Sequence, residues 1–262
     1  MGHNRWVQPK RVRKPAPDEL GTEEALQVAR DLARLGCENV YLTGGEPLVR
    51  RDWPLLARTL NDLGLAVTVI SNGVLVNAES IRSMQEAGVF GLSISLDGNR
   101  FVHDKIRVAT HGSTLSSYES AINAIRLGVS SRLKTAVITL VHRQNIGHLR
   151  EIYDLLASLG VLVWQVQICM PLGRMLRHKS DLLIEPAQIP ALEQELAALI
   201  DEGRLRIAVG DNIGYYGRHE PTLRGSVKGT KSFWMGCFAG CRFVERQRNS
   251  PETASNTGDS GR

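Results

Sequence analysis

One unit recurs along this chain: a helical stretch stopped by glycine, then a short apolar run that ends in a polar turn. Ala25, Leu26, Ala29, Leu32 and Ala33 fall at helical spacing, Gly36 stops them, and residues 40–43 read as a short buried strand ending at Gly44-Gly45. Thr22 reads as the cap of that helix, with Glu23 and Glu24 as the early acids a helix amino terminus favours. Residues 53–63 repeat the helix and stop at Gly64, before a strand at 67–71 that ends at Asn72-Gly73. Residues 79–87 repeat it again and stop at Gly88, before a strand at 92–96 that ends at Asp97-Gly98. A longer connection at 99–113 leads to a helix at 118–127, a strand at 135–140, a helix at 146–159 and a strand at 162–168. A helix at 189–202 and a strand at 205–209 close the series.

Such alternation, with strands rich in Val and Ile, predicts an α/β fold with a parallel sheet covered by helices. A partial or closed (β/α) barrel suits the count better than a flat doubly wound sheet. No Gly-x-Gly-x-x-Gly follows a strand and no Walker loop occurs, so dinucleotide and P-loop readings are poorly supported. The formal charge of +5 is misleading as a guide to partners. Arg5, Lys10, Arg11, Arg13 and Lys14 sit in a 17-residue arm without an acid, and the remaining 27 bases and 27 acids cancel. No nucleic-acid partner is expected from that balance. No apolar run approaches the roughly 18 residues of a membrane span, and the amino terminus lacks a signal-peptide apolar region, so no membrane and a cytoplasmic location are expected. Cys37, Cys169, Cys237 and Cys241 are too scattered for a disulfide framework.

In barrels of this type the site lies at the carboxyl ends of the strands. The polar residues there are Thr43-Gly44-Gly45-Glu46-Pro47, Ser71-Asn72-Gly73, Ser95-Leu96-Asp97-Gly98, Thr139, Gln165 with Gln167, and Gly210-Asp211-Asn212. Gly44 and Gly45 let a ligand approach the backbone, Glu46 adds a carboxylate, and Pro47 fixes the loop. That combination suits an ammonium group, although a plain turn before a helix-starting acid would look the same. Ser95 and Asp97 could hold a ribose or the acid group of the same ligand, or serve only turn chemistry. Gln165 and Gln167 share one strand face and are expected to line the barrel interior, unless they lie outward beneath a helix. Asp211 is a weak candidate acid or base, equally an ordinary turn residue. His103-Asp104 and Arg107 either order the long loop around substrate or form a surface pair worth little. Arg174 reads as a carboxylate contact or a solvated side chain. Tyr215, Tyr216, Phe233 and Trp234 wall a pocket or pack the carboxyl-terminal appendage.

Together, Leu42-Thr43-Gly44-Gly45-Glu46-Pro47-Leu48, Ser71-Asn72-Gly73, Ser95-Leu96-Asp97-Gly98 and His103-Asp104-x-x-Arg107 resemble the radical S-adenosylmethionine (AdoMet) superfamily. The resemblance covers residues 18–210 and implies a partial (β/α)6 barrel that binds AdoMet and a [4Fe–4S] cluster. It assigns the methionyl ammonium to Gly44, Gly45, Glu46 and Pro47, with Asn72 and Asp97 nearby. It puts Ser95 on the family's fourth strand, as a contact for ribose or carboxylate. Residues 233–241 further resemble the entry to a SPASM-type domain, which implies Cys237 and Cys241 as thiolate ligands of an auxiliary cluster and a peptide or protein substrate.

The family's Cys-x-x-x-Cys-x-x-Cys loop does not occur in the 262 residues, and His3 cannot replace three thiolates. The expected organisation is a basic disordered arm at 1–17, the barrel at 18–210, a linker with an incomplete SPASM-like start at 211–244, and a disordered tail at 245–262. The reading frame is accordingly expected to preserve the middle of an ancestral enzyme, with a short truncated appendage. Two other readings stay open on the residues: a non-catalytic domain that binds AdoMet or a partner, and an unrelated (β/α) barrel enzyme using carboxylates such as Glu46 and Asp97.

Overall fold

The computed structural model describes residues 19–107, 115–171, 178–210, 213–214 and 217–225. The expected arm at 1–17, Arg174, Asp211, Asn212, Tyr215, Tyr216, Phe233, Trp234, Cys237, Cys241 and the tail at 245–262 lie outside the described residues.

Six strands, β1 (Asn39–Leu42), β2 (Ala66–Ser71), β3 (Gly91–Ser95), β4 (Lys134–Val141), β5 (Val163–Ile168) and β6 (Arg206–Val209), form one sheet in sequence order. Every neighbouring pair is parallel, and β1 does not pair with β6, so the barrel is unclosed. The helices are α1 (Thr22–Arg34), α2 (Trp53–Asp62), α3 (Ala78–Glu86), α4 (Arg100–Ile106), α5 (Ser117–Ser130), α6 (Leu149–Ser158), α7 (Lys179–Leu182), α8 (Ile189–Glu202) and α9 (Glu220–Gly225). The expected α/β fold with six parallel strands is therefore present. The connection at 99–113 is not plain loop: it contains α4, started by Asn99, whose side chain accepts from the Val102 amide at 3.2 Å. Thr22 is not the cap of α1 but its first residue, and its hydroxyl donates instead to Asp52 at 2.6 Å. Glu24 takes the capping work by accepting from the Gly21 amide at 2.7 Å.

The pleat decides which residues can build a site. Val67, Val69, Leu92, Ile94, Val137, Trp164, Val166 and Ile207 join side chains of α2, α3, α5, α6 and α8 in one apolar core. Their strand neighbours, offset by one residue, point to the opposite face. Pairing aligns that second set across the sheet: Ile70, Ser93, Ala136, Val163 and Arg206 form one row, and Ser95, Ile138, Gln165 and Ala208 the next. Leu140 and Gln167 follow, nearest the carboxyl edge. Helices cover one face only among the described residues, so these rows form the bare inner face of the open barrel.

Candidate functional site

The loop after β1 is exposed at the carboxyl edge. Thr43, Gly44 and Gly45 are open to solvent, and Gly44 sits at φ +132°. Side chains rarely tolerate that conformation, so glycine there follows from backbone geometry rather than crowding. A Cβ added at Gly44 or Gly45 would meet nothing within 4 Å, which leaves space for a ligand directly over these peptide groups. Downstream, Arg50 forks onto Asp52 with bonds of 2.6 and 2.8 Å and also donates to the Leu20 carbonyl at 3.0 Å. This pins the loop's exit to the start of α1.

Glu46 locks the loop to its neighbour. Its carboxylate accepts from the Ser71 hydroxyl at 3.0 Å, the Asn72 amide at 2.9 Å and the Leu48 amide at 3.3 Å. Burial raises its pKa, and those three donors oppose the rise by favouring the ionised form. Pro47 opens the short 3-10 turn that follows. Asn72 spends its side-chain oxygen on the Val74 amide at 2.8 Å, while its side-chain NH2 has no partner among the described residues. Ser95 is 8% exposed on the bare face, and its hydroxyl likewise makes no hydrogen bond there. The edge thus carries an open glycine loop, a carboxylate and two polar groups without partners among the described residues.

Asp97 is placed differently. At 2% exposed, it accepts from Arg107 Nε at 2.5 Å and from the Leu140 amide at 3.0 Å. Burial pushes its pKa up, but the Arg107 charge and hydrogen bond, with the Leu140 amide, outweigh this and hold it below the ordinary value. Its amide donates to His103 Nδ1 at 3.0 Å and its carbonyl accepts from Asn145 at 2.8 Å. Asp97 therefore ties β3, α4 and β4 together beneath the edge. Of the two alternatives for His103, Asp104 and Arg107, the surface pair is not formed among them: Arg107 pairs with Asp97 instead. His103 is fully buried, and Asp104 accepts from the Tyr118 amide at 2.7 Å near the start of α5.

Two members of this cluster, Asn145 and His142, were not anticipated from sequence, whereas Thr139 was among the strand-end residues. Asn145 is fully buried, donates to the carbonyls of Asp97 and Leu140 at 2.8 Å each, and accepts from the His142 amide at 2.7 Å. Its signal was an Asn just past a strand end, a position suited to local backbone bonding. His142 is 1% exposed, and burial lowers its pKa to about 4, as it does for His103. Thr139 donates to the Leu96 carbonyl at 2.6 Å and accepts from Trp164 Nε1 at 2.8 Å, which bridges β3 to β5. Gln165 and Gln167 share one face, as their two-residue spacing suggested, and the register with β4 makes it the bare face rather than the helix-covered one.

The donor set suits AdoMet better than it suits an iron–sulfur cluster. An open glycine cradle and unpartnered Asn72 and Ser95 fit a ligand bearing ammonium, carboxylate and hydroxyl groups. The described cysteines are Cys37 and Cys169. Cys37 precedes β1 at the amino-terminal edge, whereas Cys169 follows β5 at the carboxyl edge, so they cannot share a cluster. Burial pushes the Cys169 thiol up to about 11, away from the thiolate a metal needs. Among the described residues, no three His, Cys, Asp or Glu side chains gather to hold a metal. No helix among them is long and apolar enough to cross a membrane.

The chain is similar to an AdoMet-dependent heme synthase of Methanosarcina barkeri, 31% identical over 86% of this chain and 64% of that protein. It is similar to a PqqA peptide cyclase of Rhodopseudomonas palustris, 27% identical over 72% of this chain and 48% of the cyclase. Its fold resembles Streptococcus suis SuiB bound to S-adenosylmethionine, with a TM-score of 0.63 and 12% identity over 78% of this chain and 46% of SuiB. SuiB bound to precursor peptide SuiA gives a TM-score of 0.59, at 14% identity over 78% of this chain and 45% of SuiB. The chain spans about 34–64% of the length of the first curated relatives it matches. The sequence profile of the radical SAM superfamily matches residues 6–156, from before α1 into α6, and takes in the Gly44–Gly45 loop, Ser71-Asn72-Gly73 and Ser95-Leu96-Asp97. More than half of the chain lies in that match, and the chain belongs to the radical SAM superfamily.

Proposed function

We propose that the carboxyl edge of this sheet binds AdoMet and presents it to a peptide lying on the bare face. One observation carries the reading. The exposed Gly44–Gly45 peptides have open space above them and lead into Glu46, which is bonded to Ser71 and Asn72, beside the Asn72 and Ser95 groups that have no partner among the described residues. In this reading the main-chain carbonyls at 43–45, with the nearby Glu46 charge, take the methionyl ammonium, and Pro47 holds the loop. The Asn72 side-chain NH2 and the Ser95 hydroxyl donate to the carboxylate and the ribose. Asp97 acts from beneath as a positioning residue that keeps the ends of β3 and β4 in register. AdoMet supplies the superfamily's radical chemistry when it is reductively cleaved beside a [4Fe–4S] cluster. The described residues do not fit that cluster, so no electron-transfer step is assigned to them. Cys237 and Cys241 remain proposed thiolate ligands of an auxiliary cluster at a SPASM-like start in residues 211–244, and Asp211 a proposed acid or base. The peptide class is supported by relatives, one named a peptide cyclase and one solved with a precursor peptide.

Calorimetric titration with AdoMet tests the reading. The wild-type chain is expected to bind one equivalent. Glu46→Ala frees the loop and removes the charge, and should weaken binding about tenfold or more, as loss of a charged hydrogen-bonding group does. Equal binding by both proteins would make the assignment of this loop wrong.

A further inference from the structure

The superfamily match ends at residue 156, before β5. Gln165 and Gln167 are half-buried on the bare face, and neither carboxamide makes a hydrogen bond among the described residues. Gln165 lies in one row with Ser95 and Ile138, and Gln167 lies one row nearer the carboxyl edge beside Leu140. The floor next to them, Ile138 and Leu140, is apolar and half-buried. The charged strand residues of this face, Lys134 and Arg206, stand at the opposite, amino-terminal end.

We infer that Gln165 and Gln167 form a subsite that holds the main chain of an extended peptide; the inference rests on the AdoMet-and-peptide reading above. Side chains two residues apart on a strand repeat every ~6.6–6.8 Å, the period at which an extended peptide repeats its outward-facing main-chain groups. Each carboxamide offers both a donor and an acceptor, so each can take a carbonyl and an amide from the same main chain. The paired strand residues on the carboxyl half of this face, Ser95, Ile138, Leu140, Gln165, Gln167 and Ala208, offer a polycarboxylate such as a tetrapyrrole no cation, and Arg107 at the edge is already bonded to Asp97. A neutral peptide backbone meets two carboxamides that have no partner among the described residues. Recognition of this kind is tolerant of side-chain identity and intolerant of a blocked main-chain nitrogen.

The test uses the AdoMet-saturated chain and two probes: a pool of random octapeptides, and the same pool methylated on every backbone nitrogen. Retention of each pool is measured by ultrafiltration and mass spectrometry. The wild type should retain the unmethylated pool about fivefold better or more, as expected for main-chain hydrogen bonds that methylation removes. Gln165→Leu with Gln167→Leu should abolish that preference while AdoMet affinity stays within about twofold of wild type, because the subsite lies outside the glycine loop. If the double variant fails to fold, Gln167→Met alone is read by the same criteria. The inference is overturned if the wild type shows no preference or if the preference survives in the variant. It is also overturned if AdoMet affinity falls with the glutamines, which would make them contacts of the cofactor. Failure of the wild type to bind AdoMet in the separate titration would instead strike the underlying reading.

Discussion

At Gly44 the backbone holds a φ of +132°, while its neighbour Gly45 is not in that range. The pair separates two reasons for glycine. Gly44→Ala should lower stability by about 1–3 kcal/mol from backbone strain alone, since the added methyl meets no neighbour. Gly45→Ala should leave thermal stability unchanged, and any effect it has should appear only as weaker AdoMet binding. Melting curves of the two variants check this, and equal destabilisation would contradict the strain argument. Much at this scale was legible in the sequence. Gly-Gly-Glu-Pro named the loop because only a few residue types allow such a turn. What the chain could not disclose was that the Glu46 carboxylate spends three hydrogen bonds on residues 48, 71 and 72. Ser71 and Asn72 are distant in sequence and meet Glu46 only once β1 and β2 pair.

The element that organises the middle of the edge is α4, which sequence reading took as loop. Seven residues give too short an apolar pattern to reveal a helix, and its stability comes from burial of Val102 and His103 against Asp97 rather than from periodicity. With the end of β4 it encloses two histidines whose pKa values burial lowers to about 4 from 6.5. The unfolded chain takes up protons between about pH 6.5 and 4 that the folded chain refuses, so stability falls as pH falls through that window. Each buried ring contributes up to about 3 kcal/mol of this loss by pH 4, at 1.36 kcal/mol per pKa unit. Asp97, held below its ordinary value, loses its contribution only under more acid conditions. Glu46, held above its own, works in the opposite direction near its titration and offsets part of the loss. Denaturant titrations at pH 7, 6 and 5 should show a falling unfolding free energy, and replacing both histidines with glutamine should flatten the slope. A pH-independent wild type would contradict the placement of these rings.

Across the whole molecule the recurring helix–strand unit foretold six parallel strands in order, because glycine stops and Val-rich runs are local signals. Gln165 and Gln167 could also be set on one face from spacing alone, though which face needed the register between β4 and β5. The buried network of Asp97, Arg107, Asn145 and His142 was mostly illegible, since its members come from three separate connections and meet only in the packed sheet. The groups proposed to hold AdoMet, Gly44, Gly45, Glu46, Asn72 and Ser95, end up on one edge. Hydrogen exchange of the chain with and without saturating AdoMet tests that placement most directly. The account predicts added protection in peptides covering residues 43–49, 71–74 and 93–97, and none in the opposite connections at 36–38, 64–65 and 88–90. Protection confined to those opposite connections, or none at all under saturating ligand, would contradict it.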